Sequence, residues 1–481
     1  MALSEDEAET LARLEYQLVR QQRKLWTLDA YYNGEQRVEQ LGLAVPPELR
    51  QFLTVVNWPA TYVDAIEERL DVEGFRLPGQ DGADADLWRV WQENDLDEES
   101  QLAHLDSLVF GRSYVTVGAG DAGPDEDDDG DEDRDPATPL VTVESPREVT
   151  AELSPRTRRV AAAVKVYRDS PIGPARRAES IQLATLYLPD VTVWLERRNA
   201  RWVEVDRDDH GMGVVPVVPM VNRSRVARRH GRSEMERVIP LTDAAARALT
   251  NAQLATEIMA IPQRYVLGAS KGDFVDKDGK QLPAWEAYFG AIWALLNPAA
   301  KVGQFDAADL SNFKTIVDHY ASLVAGVTGL PMRYLGQSTT NPPSAEGIRA
   351  DESRVIKLCE RVQRSRGGSW ERVMRLVRRI LDEDWNPDLA SLETIWRNPA
   401  TPTRAAEADA AVKLFSTSPR PIVPLRQTRE SLGFSQVQIA RMEEEDEAER
   451  RRDPVLDIAR GLAGGDAAGE PAAAVTGADA A

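Results

Sequence analysis

Apolar residues return every three or four positions over much of this chain, and two stretches in its second half carry the pattern furthest. From Asp309 to Gly329 the apolar positions are Phe313, Ile316, Val317, Tyr320, Leu323, Val324 and Val327, the spacing of one helix face. Pro331 ends that helix. Gly336–Pro343 is polar, uncharged and closed by paired prolines, which predicts a loop. Ser344 stands where an N-cap belongs. It opens a longer periodic run to Trp385, with Ile348, Val355, Cys359, Val362, Trp370, Val373, Val377 and Ile380 on one stripe. At 1.5 Å per residue such a rod reaches roughly 60 Å, a length suited to a strut in a large assembly. Gly367-Gly368 marks a candidate bend within it.

The first half begins with helices. Residues 5 to 33 place Leu11, Leu14, Leu18, Leu25 and Leu28 at helical spacings and stop at Asn33-Gly34. Pro46-Pro47 breaks the chain. Pro59–Leu70, Asp86–Asn94 and Glu99–Phe110 predict three more helices. Gly111 then marks a change of period, and Ser113–Val117 reads as a strand. Further strands are predicted at Leu140–Val143, Val160–Tyr167, Ser180–Leu186, Val191–Leu195 and Trp202–Val205. The two prolines of Gly213–Asn222 confine it to a sheet edge or an extended crossing. Arg223, Arg225, Arg228, Arg229 and Arg232 form a basic cluster.

A helix follows, with Ser233-Glu-Met-Glu236 in the spacing of a capping box and a kink or restart expected at Pro240. From Leu241 it runs to Ile261, about as long as the helix of 309–329. Between them lies a mixed insert, Arg264–Lys301, with a hairpin turn at Asp278-Gly279. Two matched helices flanking a compact insert fit an antiparallel stalk with a head, and fit an ordinary helical hairpin as well. Ser391–Ile395 predicts a last strand, and Thr403–Phe415, Pro424–Leu432 and Ser435–Arg452 the last helices. The fold class expected is α+β, helix-rich.

Composition narrows the function classes. The 481 residues accommodate about two to four domains, and 42% hydrophobic content suffices for a sizeable core. There is no run of roughly 18 apolar residues to span a membrane, and the acidic N-terminus lacks a signal-peptide pattern. A single cysteine, Cys359, excludes an intramolecular disulfide framework and a multi-cysteine zinc site. These features read as an intracellular protein or as part of something assembled inside a cell. The net charge of −21 opposes wholesale gripping of nucleic acid. Asp121–Asp135 alone holds ten carboxylates and one arginine, a net −9. Its Asp125-x-Asp127-x-Asp129-Gly130 opens like a calcium loop, but the twelfth position is Pro136, not glutamate. A solvated acidic loop is the reading taken, with no metal expected.

Motifs for catalysis are missing. No phosphate-binding G-x-x-x-x-G-K-[ST], G-x-S-x-G elbow or H-E-x-x-H helix occurs. His104, His210, His230 and His319 never fall at ligand spacing. Neither an enzyme nor a cofactor is expected.

Several stretches together resemble the portal proteins of long-tailed (siphovirus-type) double-stranded DNA bacteriophages. They are Val215-Pro-Val-Val-Pro-Met-Val-Asn222, Gly231–Asp243, Ala260-Ile-Pro-Gln-Arg264, Thr328-Gly-Leu-Pro331 and Ser344-Ala-Glu-Gly-Ile-Arg349. The resemblance covers about residues 10 to 450. It implies a portal-type architecture with wing, two-helix stem, clip and crown. Residues 1–225 would be wing, with the acidic loop at 118–139. Residues 226–262 would carry the first stem helix, 263–308 the clip and 309–330 the second stem helix. Residues 331–395 would hold a tunnel loop and the long wing helix, 396–455 the crown and 456–481 a disordered tail. A ring, usually of twelve copies, would form a channel at one capsid vertex for packaging, retaining and ejecting DNA. Its partners would be the double-stranded DNA, the terminase packaging motor, major capsid and scaffolding proteins and the head-tail connector or adaptor, with no membrane. It would be built in host cytoplasm and end in the virion. Gln337, Ser338, Thr339, Thr340 and Asn341 match the tunnel loop. Lys271, Lys277 and Lys280 of the clip are candidate weak phosphate contacts, or solubilising charge. The alternative is a non-channel minor head or capsid-associated structural protein, with a carboxylate-metal nuclease third.

Overall fold

The computed structural model describes residues 3–36, 54–77, 79–80, 82–120, 137–169, 181–259, 264–268, 301–304, 311–337, 344–382, 385–400, 409, 412–413, 423–434 and 436–452. These form the helix-rich α+β chain expected. Helix α1 (Glu5–Asn33) opens on a capping box: Ser4 Oγ accepts from the Glu7 N–H, and the Glu7 carboxylate accepts from the Ser4 N–H. Gly34, left-handed at φ 71°, closes it. Its five periodic leucines are all buried.

Helix α1 belongs to two cores. Leu11 and Leu14 pack on a five-stranded antiparallel sheet, meeting Ala162, Val164, Ala184, Leu186, Val193 and Leu195. That sheet is a meander of β4 (Val149–Leu153), β5 (Val160–Asp169), β6 (Ile181–Tyr187), β7 (Thr192–Arg198) and β8 (Arg201–Asp208). Further along α1, Leu25 and Leu28 join a helical core with α2 (Trp58–Glu67) and α4 (Leu96–Phe110). Helices α5 (Ile239–Met259) and α6 (Ser311–Thr328) and the first half of α7 (Ala345–Asp382) share that core. A second core gathers α3 (Ala85–Glu93), β1 (Val72–Arg76), β2 (Arg112–Gly118) and the second half of α7. There Trp370 meets Trp91 edge-on, ring centroids 4.8 Å apart.

Like the shorter α4, the 38-residue α7 runs through both cores. At 1.5 Å per residue it is about 57 Å long. Its stripe divides as Val355, Cys359 and Val362 in one core and Trp370, Val373 and Val377 in the other. Between the halves sits Arg366, fully buried. It donates to the Val221 carbonyl at 2.9 Å and to Asn222 Oδ1 at 3.3 Å. The Asn222 amide passes the contact on to the buried Glu234 at 3.1 Å. Glu234 also accepts from Tyr62 at 3.1 Å and from Arg223. Burial pulls Arg366 down to about 10, still a cation at neutral pH.

Helix α7 continues without interruption through Gly367-Gly368, the candidate bend. Gly367 instead admits a neighbour: a Cβ would lie 3.1 Å from Trp396 Nε1, and Thr394 Oγ1 donates to the Gly367 carbonyl at 3.2 Å. These residues belong to β12 (Glu393–Trp396), which pairs antiparallel with β1. Ser233 forms no capping box, because its Oγ accepts from Met235 N–H, two residues on. Glu236 turns away to Lys24 and Arg232. A short 3₁₀ turn follows at Met235–Arg237, and α5 starts at Ile239. Pro240 therefore sits in a first turn, where its missing N–H costs nothing. Strands β1 and β4 were not expected.

Other expectations are met. Strand β9 (Val217–Val221) carries Pro219 at the edge of a three-stranded sheet ordered β3 (Leu140–Glu144), β2, β9. Helices α5 and α6 pack on one another. Beyond them, β10 (Arg264–Leu267) and β11 (Lys301–Gln304) pair antiparallel. Helices α8 (Leu425–Ser431) and α9 (Gln436–Arg452) pair through Arg426–Glu443 at 2.6 Å and Arg429–Asp446 at 2.8 Å. The break at Pro46-Pro47, the acidic run of 121–135, the turn at Asp278-Gly279 and the tail of 456–481 lie outside the described residues. So does most of the helix expected at 403–415.

His104 on α4 generates a pH prediction. Trp370 Nε1 donates to its Nε2 at 2.9 Å, which fixes a neutral imidazole. Burial, and then the nearby Arg366 charge, push its pKa down to about 3, against a small opposing effect of the Leu70 carbonyl. The unfolded histidine, near 6.5, therefore takes up its proton first as pH falls. This contribution is intact above pH 6.5 or so and erodes towards pH 3, at up to about 1.4 kcal/mol per unit. His104→Gln keeps an acceptor for Trp370 and cannot titrate. Its urea midpoint is expected to fall less between pH 7 and pH 5 than that of the unsubstituted chain; equal falls would refute the assignment.

Candidate functional site at the base of the 336–343 loop

The connection from α6 to α7 is built from two left-handed glycines and a 3₁₀ turn. Helix α6 ends as Thr328 Oγ1 donates back to the Val324 carbonyl at 2.7 Å and accepts from the Leu330 N–H at 3.1 Å. Gly329 follows at φ 84°, and its N–H donates to the Ala325 carbonyl at 2.8 Å. Pro331 leads into the turn Met332–Leu335, closed by Gly336 at φ 79°. On the far side, Ser344 caps α7 as predicted, its Oγ accepting from the Gly347 N–H at 3.2 Å.

Charged side chains then hold this base to its surroundings. Arg354 of α7 donates to the Gly326 carbonyl at 3.1 Å, setting a cation at the carbonyl end of α6 where the helix dipole favours it. Its side chain covers Gly329, where a Cβ would lie 2.6 Å from Arg354 Cδ. Glu352, buried at 8% exposure, accepts from Arg333 and, at 3.2 Å, from the Tyr334 hydroxyl. Tyr334 in turn accepts from Arg69 at 3.0 Å, and Arg69 also donates to the Ala65 carbonyl at 2.6 Å. That hydrogen bond to Tyr334 and the nearby acids raise the Arg69 pKa, outweighing burial, which is the largest single influence and acts downwards. The 3₁₀ turn is thus tied to both α2 and α7.

Of the five loop residues singled out in the sequence, Gln337 is described. Its Nε2 donates to Asp318 Oδ1 on α6, and its N–H reaches the Met332 carbonyl at 3.3 Å. Gln337 therefore belongs to the anchored base. Ser338, Thr339, Thr340 and Asn341 lie outside the described residues, as do Lys271, Lys277 and Lys280. The anchoring residues Arg69, Asp318, Arg333, Tyr334, Glu352 and Arg354 were missed. Their partners are remote in sequence, and only Arg354, a cation one helix away from an αL glycine, leaves any local trace. The arrangement can hold a loop at a fixed place. Among the described residues no group of His, Cys, Asp and Glu could hold a metal ion, and no helix is long and apolar enough to cross a membrane.

The family described as "Phage portal protein, SPP1 Gp6-like" matches residues 11–452. The portal protein of Mycobacterium phage D29 is 41% identical over 432 residues, 89% of this chain and 86% of that protein. The portal protein of Mycobacterium phage L5 is 41% identical over 423 residues, 87% of this chain and 84% of that one. Similar solved structures include a chain of the neck of a native GTA particle with C12 symmetry (TM-score 0.43, 13% identity, 82% of this chain and 95% of that chain). The neck of the empty GTA particle with C6 symmetry gives a TM-score of 0.45 at 14% identity, over 82% and 94% of the two chains.

The two left-handed glycines should respond differently to a methyl group. Gly336→Ala meets nothing within 4 Å among the described residues and should cost about 1 kcal/mol from backbone strain. Gly329→Ala adds a clash with the Arg354 side chain and should cost about 2 kcal/mol or more. Chemical denaturation of both variants checks this. Equal costs would show that Arg354 yields freely and does not clamp the connection.

Proposed function

This chain belongs to the SPP1 Gp6-like family of phage portal proteins, and from that premise we propose that its copies close into a ring, of about twelve, around a channel for DNA. The ring sits at one capsid vertex, where the genome is packaged, held and later released. It docks the packaging motor on assembly in the host cytoplasm and a head-tail connector in the finished virion, and it contacts capsid and scaffolding proteins. Its work is structural; hydrolysis of nucleotide is left to the motor.

The observation that carries this reading is the contact between α5 and α6, with the β10–β11 ladder beyond their far ends. Such a stalk is what the stem and clip of a portal require. Helix α6 offers further support. Ile316, Leu323 and Val327 remain 40–43% exposed, spaced by seven and four on one face, while Ala321 and Val324 are buried. An apolar stripe left open on a lone chain suits burial against a second copy. The loop of 338–341, set on the anchored Gln337, then faces the DNA, uncharged where tight phosphate contacts would stall movement. Residues 1–225 and 331–395 serve as wing and 396–455 as crown.

Negative-stain imaging of purified protein should give rings with a central hole. A stable monomer at all concentrations and salts would count against the channel and favour a non-channel head protein. Replacing Gln337–Asn341 by Gly/Ser should spare ring formation but reduce DNA-filled heads to a small fraction. Normal filling would remove the loop from the mechanism.

A further inference from the structure

A cavity of about 740 Å³ lies between α1, the start of β2, the turn after β4 and the arginine cluster that follows β9. Four guanidinium groups line it: Arg20, Arg112, Arg158 and Arg229. Two further charges there are already used, since Lys24 pairs with Glu236 at 2.6 Å and Glu152 with Arg13 at 2.9 Å. Arg20, Arg158 and Arg229 make no ion pair among the described residues. Arg112 gives its Nη atoms to neutral acceptors, the Gln21 side chain and the His230 carbonyl. The Nε atoms of Arg112 and Arg229 and Nε2 of Gln21 are buried with no acceptor among the described residues. The exposed guanidinium groups of Arg20 and Arg158, without an ion-pair partner among the described residues, favour oxygen acceptors carrying negative charge. Burial, and then the Arg112 charge, hold His230 at the rim below the usual histidine range, consistent with a surplus of positive charge.

We propose that this pocket receives the acidic segment Asp121–Asp135 of the same chain. The segment's net −9 is the densest charge of the sequence and opposite in sign to the pocket. It is also within reach. The segment leaves the far end of β2, whose first residue, Arg112, lines the cavity. The six steps from Arg112 to Gly118 span about 20 Å. The ten from Gly118 to Asp128 reach at most roughly 35 Å. Tethering gives a local concentration in the millimolar range, so modest intrinsic affinity suffices. Nucleic acid fits less well: a concavity this size excludes a duplex, and the remaining acidic surface repels phosphate. Carboxylates on a single strand enter singly and fill the arginine forks. The inference stands apart from the channel reading.

The test uses full-length protein, unsubstituted and with residues 121–135 replaced by an equally long Gly/Ser linker. A fluorescent peptide of residues 121–135 is titrated into each. The linker form should bind it, and the unsubstituted chain should bind it about tenfold more weakly or less, because its own segment competes. High salt should weaken binding by about tenfold or more, as for screened charge pairs. Arg20→Glu with Arg158→Glu, both exposed and so harmless to folding, should abolish binding to the linker form while its circular dichroism stays unchanged. Equal affinity of both forms for the peptide overturns the proposal, as does indifference to the two charge reversals. An oligonucleotide of equal charge that displaces the peptide at lower concentration would also overturn it and make this a phosphate site.

Discussion

The buried cation Arg366 governs how the two helical cores are joined. It lies halfway along α7, with apolar residues of one core on one side and of the other core beyond it. Its hydrogen bonds reach the end of β9 and, through Asn222, the carboxylate of Glu234. Glu234 in turn fixes Tyr62 on α2 and Arg223, while its N–H reaches the Leu108 carbonyl at the end of α4 at 3.0 Å. Removing one member of a buried, hydrogen-bonded charge set costs about 3–5 kcal/mol, mostly from stranding the others. The Val221 carbonyl and the Asn222 amide oxygen meet the guanidinium at this register of α7, and a shift by one turn would strand all three. Everything α7 positions, from the loop base at one end to the tryptophan cluster at the other, inherits that register.

Periodicity found the elements whose cause is local. The leucines of α1, the α7 stripe from Val355 to Val377 and the inner positions of β5, β6 and β7 are buried, which a regular apolar repeat reports directly. What escaped was set by distant partners. Strand β1 (VEGFR) holds one fully buried side chain, Phe75, and exists because β12 lies beside it from the far end of the sequence. The same pairing explains Gly367: its missing side chain makes room for Trp396, a reason invisible in a helix read alone. Ser233 and Glu236 match a capping box letter by letter, yet Glu234 between them is drawn into the core, and the helix starts later.

The same division runs through the candidate site. Its punctuation was legible: Ser344 caps α7, and the glycines and prolines around 329–343 mark the connection. Its anchoring was not. The ties Gln337–Asp318, Tyr334–Arg69 and Arg354–Gly326 each span a separation no local rule covers. That Gln337 is held by α6 also changes its standing. A side chain committed to its own base holds the start of the connection in place.

Arginine outnumbers lysine 49 to nine in this chain. The structure places arginine where lysine would serve badly. Arg207 spreads over both oxygens of Glu7 at 3.0 and 3.2 Å and reaches Glu204 as well, tying the start of α1 to β8. The Glu7 carboxyl is thereby lowered to about 2, chiefly by that hydrogen bond. Arg366 divides two donors between a carbonyl and an amide oxygen, a planar fork that one ammonium could not imitate. A guanidinium also loses its charge less readily on burial than an amine, so Arg366 stays ionised in a site where lysine would shed its proton. The abundant residue has become the joint of the fold because its geometry tolerates burial.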